Sequence, residues 1–333
     1  MNYIGSKLKL CQHFLPETIK SVCGSDLSQK TFCDIFAGTG IVGRTFKTSV
    51  KKVISNDIEY YSYVLNKNYI ENHRPLENAE MFVSELNEIS SCEDGFIYKN
   101  YCLGGNGERQ YFSDENGKKI DSIRIKIEEW KNTGKINQNM YYFLLASLLE
   151  SADKVANTAS VYGAYLKNLK KSAQKQMVLE PANFDLNDNE HEVFNSNANE
   201  LITKISGDIL YLDPPYNSRQ YGANYHLLNT IAEYNPFIPK GKTGLREYAR
   251  SKYCSASTVK SEFEDLIKNA NFKYIFLSYN NEGLMSVDEV KKIMQKYGRY
   301  DLAQTDYQRF KADSNRFNKA ESTVEYLHIL EKN

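Results

Sequence analysis

The sequence predicts an α/β fold whose alternating strands and helices are interrupted by a long insertion, and three observations predict it. A short β-rich run, TFCDIF at 31–36, ends in a glycine loop and leads through a helix pattern to a second apolar run, KKVISN at 51–56. That is the strand–loop–helix–strand order of nucleotide-binding folds. A later apolar run, GDILYL at 207–212, passes directly into Asp213-Pro214-Pro215-Tyr216. Between these regions, from about residue 71 to 195, regularity weakens. The expected division is residues 1–75 and 190–333 for the α/β domain, with 76–189 as a helix-rich insertion.

The elements follow in chain order. Residues 6–22 suggest an early helix, interrupted near Pro16 because proline lacks the donor a helix interior needs. Residues 31–36 read as a buried strand, and residues 41–46 start a helix. The run 51–56 is a second strand ending at Asp57, and 59–69 looks helical. In the insertion, helical patterns at 82–89, 120–130 and 139–150 surround a Gly- and Asn-rich loop at 103–117. The segment 155–176 carries Lys167, Lys170, Lys171 and Lys175 just after Tyr162 and Tyr165. Strands resume at 207–212, 273–278 (KYIFLS) and 324–330 (VEYLHIL), and no internal repeat is found.

Composition excludes several classes. Lys+Arg and Asp+Glu are 42 each, so any nucleic-acid footprint must be local. Six cysteines without a C-x-x-C pair and five scattered histidines argue against a zinc site; reduced thiols in a cytosol are expected. The largely apolar run at 143–149 is too short to span a bilayer, and MNYIGSKLKL lacks the apolar core of a signal peptide. The expectation is a cytoplasmic protein with no metal and no membrane partner.

Residues 34–45, DIFAGTGIVGRT, fit three nucleotide-binding templates at once. Gly38, Gly40 and Gly43 make the G-x-G-x-x-G of dinucleotide folds. Gly38 to Thr45 lie one residue from the phosphate loop of nucleotide triphosphatases, with Arg44 where that loop needs lysine. Phe36, Gly38 and Gly40 make the F-x-G-x-G of enzymes that bind S-adenosylmethionine. Asp57 at the second strand's end suits a ribose in both the first and the third template. A strand ending in D-P-P-Y discriminates among them.

Taken with that strand end, the chain resembles the D12 class of DNA adenine-N6 methyltransferases, the class that includes the Dam enzymes. NYIGSK at 2–7 matches the amino-terminal motif, FAGTG at 36–40 the cofactor loop, SND at 55–57 the ribose-binding strand end and DPPY at 213–216 the catalytic loop. The order of cofactor motif, insertion and DPPY is the α arrangement. The stretch DPPYNSRQYGANYHLLNTIAEY is similar to modification enzymes of restriction systems, type IIS in particular. The resemblance implies a doubly wound, Rossmann-like class I S-adenosylmethionine-dependent methyltransferase sheet, with the insertion as target recognition domain. It implies methyl transfer from S-adenosylmethionine to adenine N6 in double-stranded DNA, with a cognate restriction endonuclease as companion. A monomer suits an asymmetric target. The alternatives are another exocyclic amine, cytosine N4 or guanine N2 of ribosomal RNA. A P-loop NTPase is the rival from a different class, opposed by Arg44 and the double proline.

Chemistry explains the motif. The N6 lone pair of adenine is delocalised into the ring, and acceptors placed on both N6 hydrogens make that nitrogen more nucleophilic. Asp213 and the Pro214 carbonyl suit this role, Pro215 stiffens the loop, and Tyr216 offers a stacking face to a flipped adenine. By resemblance Tyr3 and Lys7 contact the cofactor. Phe36, Ala37, Gly38 and Gly40 bring backbone close to its methionine end, and Asp57 takes the ribose. Asn197 and Ala198 stand beside its adenine, with Asn197 where relatives often carry Asp. Lys242, Arg246 and Arg250 form one expected phosphate-contacting patch, and Tyr307, Arg309, Lys311 and Arg316 resemble a loop flanking the target base.

Overall fold

A computed structural model of the protein describes residues 6–308 and 322–333. The described chain divides into two compact units, one built from the segments up to Asn66, Asn187–Gln220 and Ala249 onward, the other from Lys67–Leu186 and Tyr221–Tyr248.

The first unit carries a seven-stranded sheet. Its strands are β1 Thr31–Asp34, β2 Lys52–Asn56, β3 Glu192–Phe194, β4 Ser206–Leu212, β5 Asn271–Asn280, β6 Gly298–Gln308 and β7 Ser322–Lys332. Their order is β3-β2-β1-β4-β5-β7-β6. Strands β1 to β5 run parallel, and β7 is antiparallel to both of its neighbours. The chain therefore moves outward from β1 to β2 and β3, then returns to β4 on the other side of β1. The strand ends at β1 and β4 form the switch point where open α/β sheets hold their ligands.

Alternation sets the two faces of the sheet. Cys33 of β1 and Ile35 just past it, Leu210 and Leu212 of β4, and Ile275 and Leu277 of β5 share a buried cluster with Val259, Phe263 and Leu266 of helix Val259–Asn269 and with Val290 and Met294 of helix Val287–Met294. The intervening residues face the other way: Phe32 stacks on Phe46 of helix Ile41–Lys47, with ring centroids 4.5 Å apart. Asp34 and Tyr211, which pair in register, belong to this second face.

The early helix breaks elsewhere than expected. It forms as Leu8–Gln12 and Phe14–Cys23, and the break is at His13. Pro16 sits in the second helix's first turn, where its missing N–H would have had no partner within the helix. Strands β3 and β6 and the helices Val259–Asn269 and Val287–Met294 lie outside the sequence expectation.

The second unit is helical among its described residues. Ser113 caps Asp114–Asn132 by accepting the Asn116 amide, and Asn137 caps Gln138–Val155 by accepting the Met140 amide. Helix His226–Glu233 belongs here too, although it follows DPPY closely in sequence and falls within the 190–333 span expected for the α/β domain. The buried Arg124 explains the grouping: it donates through Nε to the Ile231 carbonyl at 3.0 Å and through Nη2 to the Ala232 carbonyl at 3.1 Å. Tyr234, just past that helix, donates its hydroxyl to Asp121. No helix among the described residues is long and apolar enough to cross a membrane.

Candidate active site

The site is assembled on the first unit from the carboxyl ends of β1, β2 and β4. After β1 the chain turns through Gly38 (φ +52°) and Gly40 (φ +77°), a backbone region other residues rarely adopt. Gly40 caps helix Ile41–Lys47, with its carbonyl accepting the Arg44 amide at 2.9 Å. A side chain at Gly40 would place its Cβ 2.6 Å from Asn66 Oδ1. Asn66 is buried and locks the loop, donating to the Gly38 carbonyl at 3.1 Å, while Ser62 also donates to that carbonyl. Phe36 packs edge-on against Tyr253, and Ala37 is buried.

Asp57, at the end of β2, is tied to this loop. Its Oδ2 accepts the Gly38 amide at 2.8 Å and its Oδ1 accepts the Glu59 amide at 2.9 Å. Burial raises its pKa, and these amides offset part of the rise. The carboxylate that the sequence assigned to a ribose therefore already braces the glycine loop. Asn197, beyond β3, accepts the Asn199 amide and caps helix Ala198–Leu201; its side chain is otherwise exposed, and Ala198 is buried.

DPPY leaves β4 beside β1, since Asp34 and Tyr211 are register partners. Pro214 is buried and Pro215 half-buried. The Tyr216 ring lies edge-on to Tyr279, centroids 6.4 Å apart, and its carbonyl accepts the Leu284 amide at 3.0 Å. Asp213 faces Lys7: Lys7 Nζ is 3.1 Å from Asp213 Oδ1 and donates to Glu325 Oε1 at 2.7 Å. The Lys7 and Glu325 side chains are each only 5% exposed. Burial alone would lower the Lys7 pKa, but Asp213 and Glu325 outweigh it and hold the ammonium charged. Burial, aided by Glu325, outweighs Lys7 at Asp213 and pushes that carboxyl up to about 6.

Two acids complete the group. Asp34, at the end of β1, is buried with neither carboxylate oxygen hydrogen-bonded. Burial raises its pKa well above the ordinary value, with Asp213 and Asp57 adding to the rise; the Gly43 and Phe36 amides offset this in part without completing a hydrogen bond. Glu325 comes from β7, opposite Asn280 of β5. Sequence reasoning assigned neither a role. The available signal for Glu325 was one acid inside an otherwise apolar strand pattern, VEYLHIL.

The expected phosphate contacts separate. Lys242 and Arg250 are exposed. Arg246 is a correction: its guanidinium pairs with Glu233 and lies over the Phe237 ring, 9% exposed, so it serves packing in the helical unit. Tyr3, Arg309, Lys311 and Arg316 lie outside the described residues, and of Tyr307 only the backbone, in β6, is described.

The family model "D12 class N6 adenine-specific DNA methyltransferase" matches residues 3–293. The chain is 66% identical over 334 residues to Type II methyltransferase M.NlaIII of Neisseria lactamica, covering 100% of this chain and 99% of that protein. It is 38% identical to Type II methyltransferase M.CviAII of Paramecium bursaria Chlorella virus 1, covering 99% and 98%. It is also 38% identical to Type II methyltransferase M.FokI of Planomicrobium okeanokoites, where it matches 100% of this chain but 53% of the longer protein.

Proposed function

The chain belongs to the D12 class of N6 adenine-specific DNA methyltransferases, and on that premise we propose how its residues divide the work. S-adenosylmethionine is the methyl donor, and it brings an electrophilic methyl on a cationic sulfonium. The strand ends suit such a ligand. Asp34, Asp57 and Asp213 converge there, and both oxygens of Asp34 are buried without a partner. A cation bound there would favour the ionised form of Asp34, which burial otherwise opposes. Phe36, Ala37, Gly38 and Gly40 border the donor with backbone, Asp57 receives its ribose, and Asn197 and Ala198 lie toward its adenine. Tyr3 completes this shell from the amino-terminal motif.

Asp213 and the Pro214 carbonyl accept the two N6 hydrogens of a flipped adenine, while Tyr216 stacks on its ring. The observation that carries this reading is the register of β1 with β4, which brings the Gly38–Gly40 turn and Asp213 out of neighbouring strands. Near neutral pH Asp213 is predominantly ionised, given a pKa of about 6 with Lys7 beside it. An ionised acceptor is what the amine requires.

The substrate is double-stranded DNA, contacted through the helical unit as target recognition region, with Lys242 and Arg250 on the phosphates and Tyr307, Arg309, Lys311 and Arg316 serving the DNA beside the target base. The extent of identity to M.NlaIII over both chains supports a Type II modification enzyme. Its companion is a restriction endonuclease of the same specificity, in the cytoplasm. The test is methyl-labelled S-adenosylmethionine with unmodified DNA, followed by nucleoside analysis. The wild-type protein should yield N6-methyladenine and Asp213→Ala should lose at least about 10²-fold in single-turnover rate. A different methylated base, or an unimpaired Asp213→Ala, would refute the assignment.

A further inference from the structure

The reaction as described uses Asp213 but gives no task to the acid behind it. Glu325 holds Lys7 more closely than Asp213 does, at 2.7 Å against 3.1 Å. Both side chains of the closer pair are buried, and burying a carboxylate is costly unless it is paired. Lys7 reaches Oδ1 of Asp213 at 3.1 Å, and its hydrogen bond goes to Glu325.

Resting on the assignment of Asp213 to the reacting amine, we propose that Glu325 is a positioning residue: it anchors the Lys7 ammonium on one side of Asp213 and keeps the other carboxylate oxygen open to the adenine N6–H. Without the anchor, the nearest partner left to a buried ammonium is Asp213 itself. Lys7 would then close onto the whole carboxylate and compete with the substrate for it. The ionised state of Asp213 would become easier to hold and less useful. The other groups around the ion pair are the Tyr211 and Tyr216 hydroxyls, Cys11 of helix Leu8–Gln12 and Asp34 of β1. Burial raises the pKa values of Tyr211 and Cys11, so both stay neutral through the working range. Lys7 is thus the cation shared by the two acids.

Single-turnover methylation of unmodified genomic DNA, measured from neutral pH into acid, tests the proposal. The wild-type rate should fall in acid as Asp213 takes up a proton. Glu325→Gln should lower the plateau by up to about 10²-fold through misplacement of the acceptor. It should also move the acid fall-off to lower pH by about 1, because a repelling acid is removed and Lys7 closes in. Lys7→Met should move the fall-off the opposite way. Glu325→Asp keeps the charge but retracts the anchor; its fall-off should stay in place while its plateau drops by about tenfold. A purely structural Glu325 would change unfolding stability in both variants and leave the fall-off where it is. That result, or a wild-type plateau in Glu325→Asp, overturns the proposal, and the second outcome decides even if Glu325→Gln does not fold. Absence of N6-methyladenine from the wild-type reaction would instead overturn the assignment of Asp213.

Discussion

Gly40→Ala is the perturbation whose cost follows most directly from geometry. Gly40 has φ +77°, and a Cβ there would sit 2.6 Å from Asn66 Oδ1 and 3.2 Å from Asn66 Cγ. The left-handed backbone costs alanine about 1–2 kcal/mol. Asn66 cannot retreat freely. Its Nδ2 donates to the Ser62 carbonyl at 2.9 Å and the Gly38 carbonyl at 3.1 Å, and its Oδ1 accepts the Ser55 hydroxyl at 2.7 Å. Weakening one or two of these bonds adds on the order of 1 kcal/mol each, for about 2–4 kcal/mol in all. Urea unfolding measures that loss, and calorimetric titration with S-adenosylmethionine should show weaker binding, because Asn66 also fixes the Gly38 carbonyl. In an Asn66→Ala background the clash disappears, so Gly40→Ala should there cost only the conformational part, about 1–2 kcal/mol. Equal costs in both backgrounds, or a variant within about 0.5 kcal/mol of wild type, would refute the reasoning.

Asp57→Ala should weaken S-adenosylmethionine by about 1.5–3 kcal/mol, the value of a hydrogen bond to a charged acceptor, with turnover partly restored by excess donor; unchanged calorimetric affinity in a folded variant would remove Asp57 from the ribose. Tyr216→Ala should lower capture of the target base by about 1–3 kcal/mol while donor affinity stays near wild type, as read by fluorescence of a 2-aminopurine at the target position. Arg250→Ala should reduce the salt slope of DNA affinity by about 1. Arg246→Ala should instead leave the slope unchanged and cost about 1–2 kcal/mol of stability by leaving Glu233 unpaired.

The fold class and the strand ends that carry the candidate site were legible because they are local. β1, β2 and β4 are short apolar runs ending in a glycine loop, an Asp and DPPY, so element and function sit in the same few residues. What escaped is pairing over distance. Lys7 and Glu325 are 318 residues apart, and no periodicity connects them. Arg246 reads as a free cation in a basic stretch, but a turn brings it back onto Glu233, 13 residues earlier. Strand β6, GRYDLAQTDYQ, is the sheet's polar edge and lacks the apolar run that marks a buried strand. Helix His226–Glu233 follows DPPY closely in sequence, yet Arg124 claims its carbonyl end for the helical unit.

Asp34 offers a test of whether the site is built for a cation. A buried carboxyl with neither oxygen bonded costs the fold about 1–3 kcal/mol, and asparagine has nearly the same shape without the charge. The folded pKa of Asp34 lies well above the ordinary value, first through burial and then through Asp213 and Asp57. Its contribution to stability is therefore fully present below the unfolded pKa and is lost as pH rises through the folded one. Asp34→Asn should raise Tm at alkaline pH, and the advantage should shrink as the solution is acidified and the wild-type carboxyl takes up its proton. If the acid is retained to attract the cationic methyl donor, the same variant should bind S-adenosylmethionine roughly tenfold more weakly, equivalent to about 1.4 kcal/mol. That combination, a more stable protein with a poorer site, is the expected trade between stability and function. A variant less stable than wild type at alkaline pH, with unchanged donor affinity, would show that Asp34 serves the fold through contacts other than charge.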